Sequence, residues 1–169
     1  MPDLPMKNSS TIVRCALATP LGPMTLAAHD NALVWVGFDG QKHAPDTCAW
    51  PLAADHTVLR QACEQLQQYF ASERTDFDVP LDLSSGTAFQ QSVWRSLLGI
   101  ASGTTCSYAT ISQQIGKPKA VRAVGGAIGR NPISIIVPCH RVVGSNGALT
   151  GYAGGVDRKI ALLQLESSV

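Results

Sequence analysis

Ser107-Tyr108-Ala109-Thr110-Ile111-Ser112-Gln113-Gln114-Ile115-Gly116-Lys117-Pro118-Lys119-Ala120-Val121-Arg122-Ala123-Val124-Gly125-Gly126-Ala127-Ile128-Gly129-Arg130 is the stretch that decides the fold. Ser107 is a ready helix cap, and Tyr108, Ile111 and Ile115 follow at helical spacing on one inner face. Gly116-Lys117-Pro118 is tight-turn chemistry. A further helix then runs from about Lys119 to Gly129. Helix, short glycine-containing turn, helix is the helix-turn-helix layout of many DNA-binding modules. In the second helix Val121, Val124 and Ile128 share a core face, while Lys119, Arg122, Ala123, Gly126, Ala127 and Arg130 lie opposite. Gly125-Gly126 weakens that helix by about 1 kcal/mol per glycine relative to alanine. Small residues on an exposed face allow close approach of a partner backbone, and the basic residues beside them suit a nucleic-acid groove. Tight packing against a neighbouring helix is the alternative; the charges on the same face speak against it.

Immediately downstream lies Asn131-Pro132-Ile133-Ser134-Ile135-Ile136-Val137-Pro138-Cys139-His140-Arg141-Val142-Val143-Gly144. Ile135 to Val137 reads as a short buried strand or extended segment. Pro138 lacks an N–H and disfavours the helical region for Val137, so the chain stops or turns there. Cys139 follows, flanked by His140 and Arg141. Positive charge beside a thiol favours the thiolate, which makes Cys139 a candidate nucleophile. A buried, inert core thiol is the other reading. The last helix starts near Val156-Asp157, turns Ile160, Leu163 and Leu162 inward, and ends near Glu166. A carboxylate so late in a helix opposes the dipole, so Glu166 is either solvated or paired.

Upstream, Thr87 with Gln90 three residues on is a capping box that opens a helix with Phe89, Val93 and Leu97 on one stripe. Further back, Thr11 to Ala18, Met24 to Ala28 and Ala32 to Phe38 read as strands of an antiparallel meander, separated by Pro20-Leu21-Gly22-Pro23 and Asp30-Asn31. Asp39 to Asp55 reads as loop. From Thr57, Val58/Leu59, Ala62/Cys63, Leu66 and Tyr69/Phe70 recur at helical spacing and pack on that sheet. The first half shows no constellation of catalytic type, and its charges read as a solvated face. The expected organisation is therefore α+β: residues 1–84 a small sheet-and-helix domain, residues 85–169 a helical helix-turn-helix domain carrying the candidate nucleophile.

Composition bounds the function class. A chain of 169 residues that is 45% hydrophobic and 15% charged suits a globular protein and not a disordered one. No apolar run reaches membrane-span length, and the polar N-terminus lacks the apolar core of a signal peptide, so a cytoplasmic location is expected, or a nuclear one if the source is eukaryotic. Five cysteines without a C-x-x-C pattern fit free thiols in a reducing compartment. The charge is split: residues 84–169 hold eight Lys/Arg against two acids, a net of +6, and residues 1–83 hold five against ten, a net of −5. Such asymmetry points the second half at a polyanion, or the two halves at each other.

Pro138-Cys139-His140-Arg141-Val142, with Asn131-Pro132 before it and Gly151-Tyr152-Ala153-Gly154-Gly155 after it, resembles the active-site signature of the O6-alkylguanine-DNA alkyltransferases. The resemblance covers roughly the C-terminal half. It implies a ribonuclease H-like N-terminal unit and a winged-helix or helix-turn-helix C-terminal one. It implies repair of O6-alkylguanine, and less surely O4-alkylthymine, by irreversible transfer of the alkyl group to Cys139, once per chain. His140 would be a water-linked base, Glu166 its orienting carboxylate, Tyr108 the general acid, and Asn131 a hinge. Arg122 would fill the stack left by a flipped nucleotide, with Ala123, Gly126, Ala127, Arg130, Lys119 and Ser107 on the minor groove. Tyr108, Val142, Tyr152 and Ala153 would surround the base, through the backbone carbonyls of Cys139 and Val142 in part. No cofactor and no metal are called for. Some family members hold N-terminal zinc, but Cys15, His29, His43 and Cys48 lack compact zinc spacing. A monomer is expected, with several molecules able to line up along double-stranded DNA and no membrane involved. Ala101 and Ala153 depart from residues common in the family, Pro and Ser, which bears on substrate breadth. The rivals are a non-catalytic DNA-binding damage sensor and a cysteine hydrolase; the latter needs an oxyanion hole that the sequence does not offer.

Overall fold

Three short strands open the described chain, which runs from residue 11 to residue 167 in this computed structural model. β1 (Val13–Leu17), β2 (Met24–Ala28) and β3 (Leu33–Phe38) form an antiparallel sheet in that order. Leu17 pairs with Met24, and Leu26 sits between Cys15 and Val36, so these apolar residues line up across the sheet. The first turn closes on Gly22, whose φ of +115° requires glycine there. α1 (Thr57–Phe70) lays Val58, Leu59, Ala62, Leu66 and Tyr69 into the core, the stripe its spacing predicts. The expected loop from 39 to 55 holds one piece of pairing: Arg14 N donates to Pro51 O and Ala53 N to Arg14 O, each at 2.9 Å, extending the sheet past β1.

In the second half, α2 (Ala88–Leu97) starts at the predicted capping box, Gln90 N to Thr87 Oγ1 at 3.1 Å and Thr87 N to Gln90 Oε1 at 3.0 Å. The helix-turn-helix is α3 (Tyr108–Gln114), capped by the Ser107 hydroxyl, and α4 (Val121–Gly129). Two-residue strands β4 (Cys106–Ser107) and β5 (Val142–Val143) pair in parallel just before α3 and just after the Cys139 turn. α5 (Val156–Ser167) closes the chain.

Two predicted faces rotate. On α4 the buried residues are Val124, Ala127 and Ile128, whereas Val121 is 38% exposed. Ala127 is therefore core and not an exposed groove-facing residue. The cause is α2: the Trp94 indole donates to Ala127 O at 2.8 Å, which turns the stripe toward Ala127 and leaves Val121 in the open first turn. On α5 the inward residues are Lys159, Leu162 and Glu166, with Ile160 and Leu163 only half-buried. An i, i+3, i+7 stripe in which two of three members are charged is invisible to a search for apolar periodicity.

The edge of β3 carries a main-chain joint between the halves at Val36, while its bridge at Leu33 stays within the N-terminal half. β3 is the outer strand, and its free edge accepts two bridges: Leu33 to the segment 80–82, and Val36 to the segment 132–134. Val36 N donates to Pro132 O and Ser134 N to Val36 O, both at 2.9 Å. The turn that carries Cys139 is thus hydrogen-bonded to the N-terminal sheet. No helix among the described residues is long and apolar enough to cross a membrane.

Candidate active site

The expected strand over Ile135–Val137 is instead two successive three-residue turns. Ile136 N donates to Ser134 O at 2.8 Å around Ile135, whose φ is +73°. Cys139 N then donates to Val137 O at 2.8 Å around Pro138. Positive φ at a β-branched residue costs on the order of 1–3 kcal/mol and persists only where surrounding contacts hold it. Asn131 supplies the hold. Its buried side chain donates to Val137 O at 2.8 Å and to Ile133 O at 3.4 Å, and accepts from Ile133 N at 3.0 Å. The outcome is a thiol, 4% exposed, at the start of a single 3₁₀ turn, Cys139–Arg141.

His140 and Glu166 meet as the late carboxylate required. His140 Nε2 lies 2.7 Å from Glu166 Oε2, and both side chains are shielded from solvent. Burial alone would raise the Glu166 carboxyl, but donors from His140, Arg141 and Tyr69 outweigh it and leave it at about 2. An ionised carboxylate only accepts, so Nε2 carries the imidazole proton and Nδ1 is the free lone pair. Burial pushes His140 below its ordinary value, partly offset by Glu166, which favours that neutral form. Nδ1 has no protein hydrogen-bond partner among the described residues.

Three contributors were not legible. Arg141 forks onto Glu166, Nε to Oε1 and Nη2 to Oε2, each 2.8 Å, while Nη1 reaches Ile100 O at 2.6 Å. Tyr69, from α1, donates to Glu166 Oε2 at 2.7 Å. The N-terminal half therefore reaches the Glu166 carboxylate, although its sequence shows no constellation of catalytic type. Lys159 is fully buried, its ammonium donating to Thr150 O at 2.9 Å and Gly151 O at 3.3 Å and lying 6.0 Å from the Tyr108 ring centre. Burial lowers Lys159, and the neighbouring Cys139 raises it. For Cys139, burial pushes the thiol up, while the Asn131 side chain and the Lys159 charge pull it back. A charged residue recurring three and seven places from Leu162 and Glu166 on one stripe was the available signal for Lys159. Tyr69 had none, since its partner is 97 residues away.

Cys139 opens onto a cleft of 430 Å³ walled by Tyr108, Gly125, Gly126, Arg130, Tyr152 and Ala153, with Lys42 and His43 at its N-terminal side. Lys42 N is tied to Ala153 O at 3.1 Å. The Tyr108 hydroxyl donates to Thr150 O at 3.3 Å, and burial raises the phenol. A Cβ on Gly125 would touch the Tyr108 ring at 3.9 Å, whereas one on Gly126 would meet nothing. Lys119, Arg122, Ala123, Gly126 and Arg130 are exposed as a continuous small and basic face. Ser107 spends its hydroxyl on the α3 cap, accepting from Thr110 N at 3.0 Å. Val142 is fully buried in β5 and does not line the cleft. A wider hollow of 790 Å³ reaches Arg141 and Glu166 but shares no residue with the cleft and lacks the thiol.

A helix-turn-helix with small and basic residues on its outer face, and a buried thiol served by an imidazole–carboxylate pair beneath it, defines a DNA-binding protein with a built-in nucleophile. Residues 88–168 match the model of the 6-O-methylguanine DNA methyltransferase DNA-binding domain, and residues 12–83 match that family's ribonuclease-like domain. The chain belongs to the 6-O-methylguanine DNA methyltransferase family. It is 53% identical over 150 residues to a methylated-DNA–protein-cysteine methyltransferase of Mycobacterium bovis, covering 89% of each chain. Its fold is similar to the crystal structure of Mycobacterium tuberculosis O6-methylguanine methyltransferase, with a TM-score of 0.84, 50% identity and 93% of each chain covered. The same Mycobacterium tuberculosis protein in complex with DNA gives 0.83 and 51% identity over 90% of this chain and 91% of that one.

Proposed function

We propose that this chain repairs DNA by accepting the alkyl group of O6-alkylguanine on Cys139, irreversibly and once per molecule. The observation that carries the reading is the buried pairing of His140 with Glu166 directly after Cys139, whose thiol opens onto a cleft walled by the glycine face of α4. His140 Nδ1 takes the thiol proton through a water, and Glu166 steadies the imidazolium that forms. Lys159 adds positive charge beside the thiolate. The sulfur attacks the alkyl carbon in line, the carbon–oxygen bond breaks, and Tyr108 protonates a ring nitrogen of the departing guanine. The product is a thioether that water does not cleave, so no second turnover follows. O4-alkylthymine is a lesser substrate of the same chemistry.

Lesion access requires a flipped nucleotide, which costs a few kcal/mol and least at a damaged pair. Arg122, exposed on α4, fills the vacated stack. Gly126 and Ala123 admit the minor-groove backbone, with Arg130 and Lys119 on phosphates. Ala127 supports this face from beneath, as its burial requires, and Ser107 contributes by capping α3. Tyr152 and Ala153 cover the base from the opposite wall. Asn131 holds the turn to the end of α4. The domains divide at 84/85, and the protein works in the cytoplasm as a monomer, several of which can follow one another along DNA. The test is the intact mass after incubation with a duplex containing O6-methylguanine. One added methyl, mapped to Cys139 and absent in Cys139→Ser, is expected. Unchanged mass with DNA binding intact would make the chain a damage sensor, and repeated turnover on an ester would make it a hydrolase.

A further inference from the structure

Four cysteines lie outside the cleft, and the proposed mechanism uses none of them; two of these, Cys15 and Cys63, stand together. Cys15 is the third residue of β1, 5% exposed, opposite Leu26. Cys63 follows Ala62 on α1, half-buried on the flank of that helix's core stripe. Their sulfur atoms lie 3.4 Å apart across 48 positions of sequence. A disulfide needs about 2.05 Å, so closure asks for a movement of roughly 1.4 Å, within the reach of side-chain adjustment.

The two thiols are not equivalent. The hydrogen bond from Cys15 lowers Cys63, against the opposing effect of burial, and the same bond raises Cys15 far above an ordinary thiol. Cys63 is also the more exposed residue of the two, half-buried where Cys15 is buried. A partly exposed sulfur with thiolate character, beside a second thiol in bonding range, has the layout of an attacking and a resolving cysteine. Cys139 is the contrast: it is buried, and burial pushes its thiol up.

We propose that Cys15 and Cys63 are a peroxide-reactive dithiol in which Cys63 is oxidised first and Cys15 closes the disulfide, separate from the alkyl-acceptor site. The Cys63 thiolate attacks one oxygen of hydrogen peroxide, the O–O bond breaks, and hydroxide leaves, giving a sulfenic acid. The Cys15 sulfur attacks the sulfenic sulfur, displacing a second hydroxide. The two thiol protons convert both hydroxides to water. Two thiols are oxidised, one peroxide is reduced, and one S–S bond forms. That bond ties β1 to α1, the helix whose Tyr69, six residues beyond Cys63, holds Glu166.

The experiment uses the full chain with Cys48→Ser, which removes the exposed thiol. After limited hydrogen peroxide, the intact mass should fall by two hydrogens and a non-reducing peptide map should show Cys15 linked to Cys63. Loss of free thiol at Cys63 should be at least about tenfold faster than at Cys139. The oxidised protein should melt higher, return to its starting midpoint with dithiothreitol, and still take a methyl on Cys139. Cys15→Ala should leave a dimedone-reactive sulfenic acid on Cys63. Should that variant fail to fold, the map of the Cys48→Ser protein decides alone, because it leaves the pair intact. First oxidation at Cys139 or Cys106, or over-oxidation of Cys63 without a cross-link, overturns the proposal.

Discussion

Replacing Tyr69 with phenylalanine isolates the side-chain bond by which the N-terminal half reaches the Glu166 carboxylate. Phenylalanine keeps the buried ring and its edge contact with Phe70, at 5.4 Å between centres, and deletes only the hydroxyl. A hydrogen bond to a charged group contributes about 1.5–3 kcal/mol. Glu166 Oε2 keeps two other donors, His140 and Arg141, so no acceptor is left bare and the loss belongs near the low end, about 1–2 kcal/mol. For a chain of this size each kcal/mol moves the melting midpoint by roughly 2–4 °C, so Tyr69→Phe should melt about 2–8 °C lower. The carboxyl loses one of the donors that hold it near 2, so its pKa rises. Because Arg141 still forks Glu166 in place, single-turnover methyl transfer should slow by less than about tenfold at neutral pH. Thermal denaturation and quenched single-turnover assays read both numbers. An unchanged midpoint would mean that the Tyr69 hydroxyl contributes nothing across the joint. A rate loss as large as that of Glu166→Gln would mean that Arg141 cannot orient the carboxylate, and would refute the division of labour between them.

The other predictions concern charge and reach. Lys159→Met should slow methyl transfer about tenfold near neutral pH and shift the pH–rate profile upward, since the thiolate loses its nearest buried cation; an unmoved profile assigns Lys159 to packing the 150–151 segment. Arg122→Ala should weaken repair of duplex DNA more than reaction with free O6-alkylguanine, and equal loss on both would remove its place in the base stack. Stability should fall with acid. Glu166 titrates at about 2 when folded and 4.5 when unfolded, so its contribution is whole above 4.5 and lost as pH falls toward 2. His140 is depressed below 6.5 in the fold, so its share is whole above 6.5 and shrinks as the unfolded imidazole takes its proton. Both signs agree, and melting midpoints followed from neutral pH to about pH 3 should drop throughout, with Glu166→Gln flattening the lower limb.

What could be read beforehand was local. The Thr87–Gln90 box, the Ser107 cap and the Pro138-Cys139-His140 turn are set by residues within a few positions of each other. The alkyltransferase resemblance then implied the pairing of Glu166 with His140 and the tie from Asn131 to the active-site turn. The misses share a different cause. Ile135 opens an apolar run that reads as a strand or extended segment, yet Asn131 and the edge of β3 hold it at a positive φ. Ala127 and Val121 exchanged places because Trp94 bonds the α4 backbone. Lys159 and Tyr69 are polar groups inside a core, satisfied by partners that only the tertiary fold supplies, and the Cys15–Cys63 approach spans a strand and a helix. Apolar periodicity reports where water is excluded, and it is silent about the charges admitted there in pairs.

The joint on β3 has a consequence for how freely the N-terminal half can vary. Its contacts with 132–134 run from backbone to backbone, and main-chain amides accept any side chain that tolerates an extended conformation. A transplanted N-terminal unit of foreign sequence would therefore dock here if it offered a free strand edge, a phenol at the position of Tyr69, and the carbonyl and ring that Arg158 meets at Leu21 and Phe38. Cutting the chain ahead of residue 85 would leave Leu33 bridged to Leu81 but bare the edge at Val36, a template for pairing with other molecules. Modularity in this chain rests on hydrogen-bonding backbone, with Tyr69 and Arg158 as side chains that key the fit.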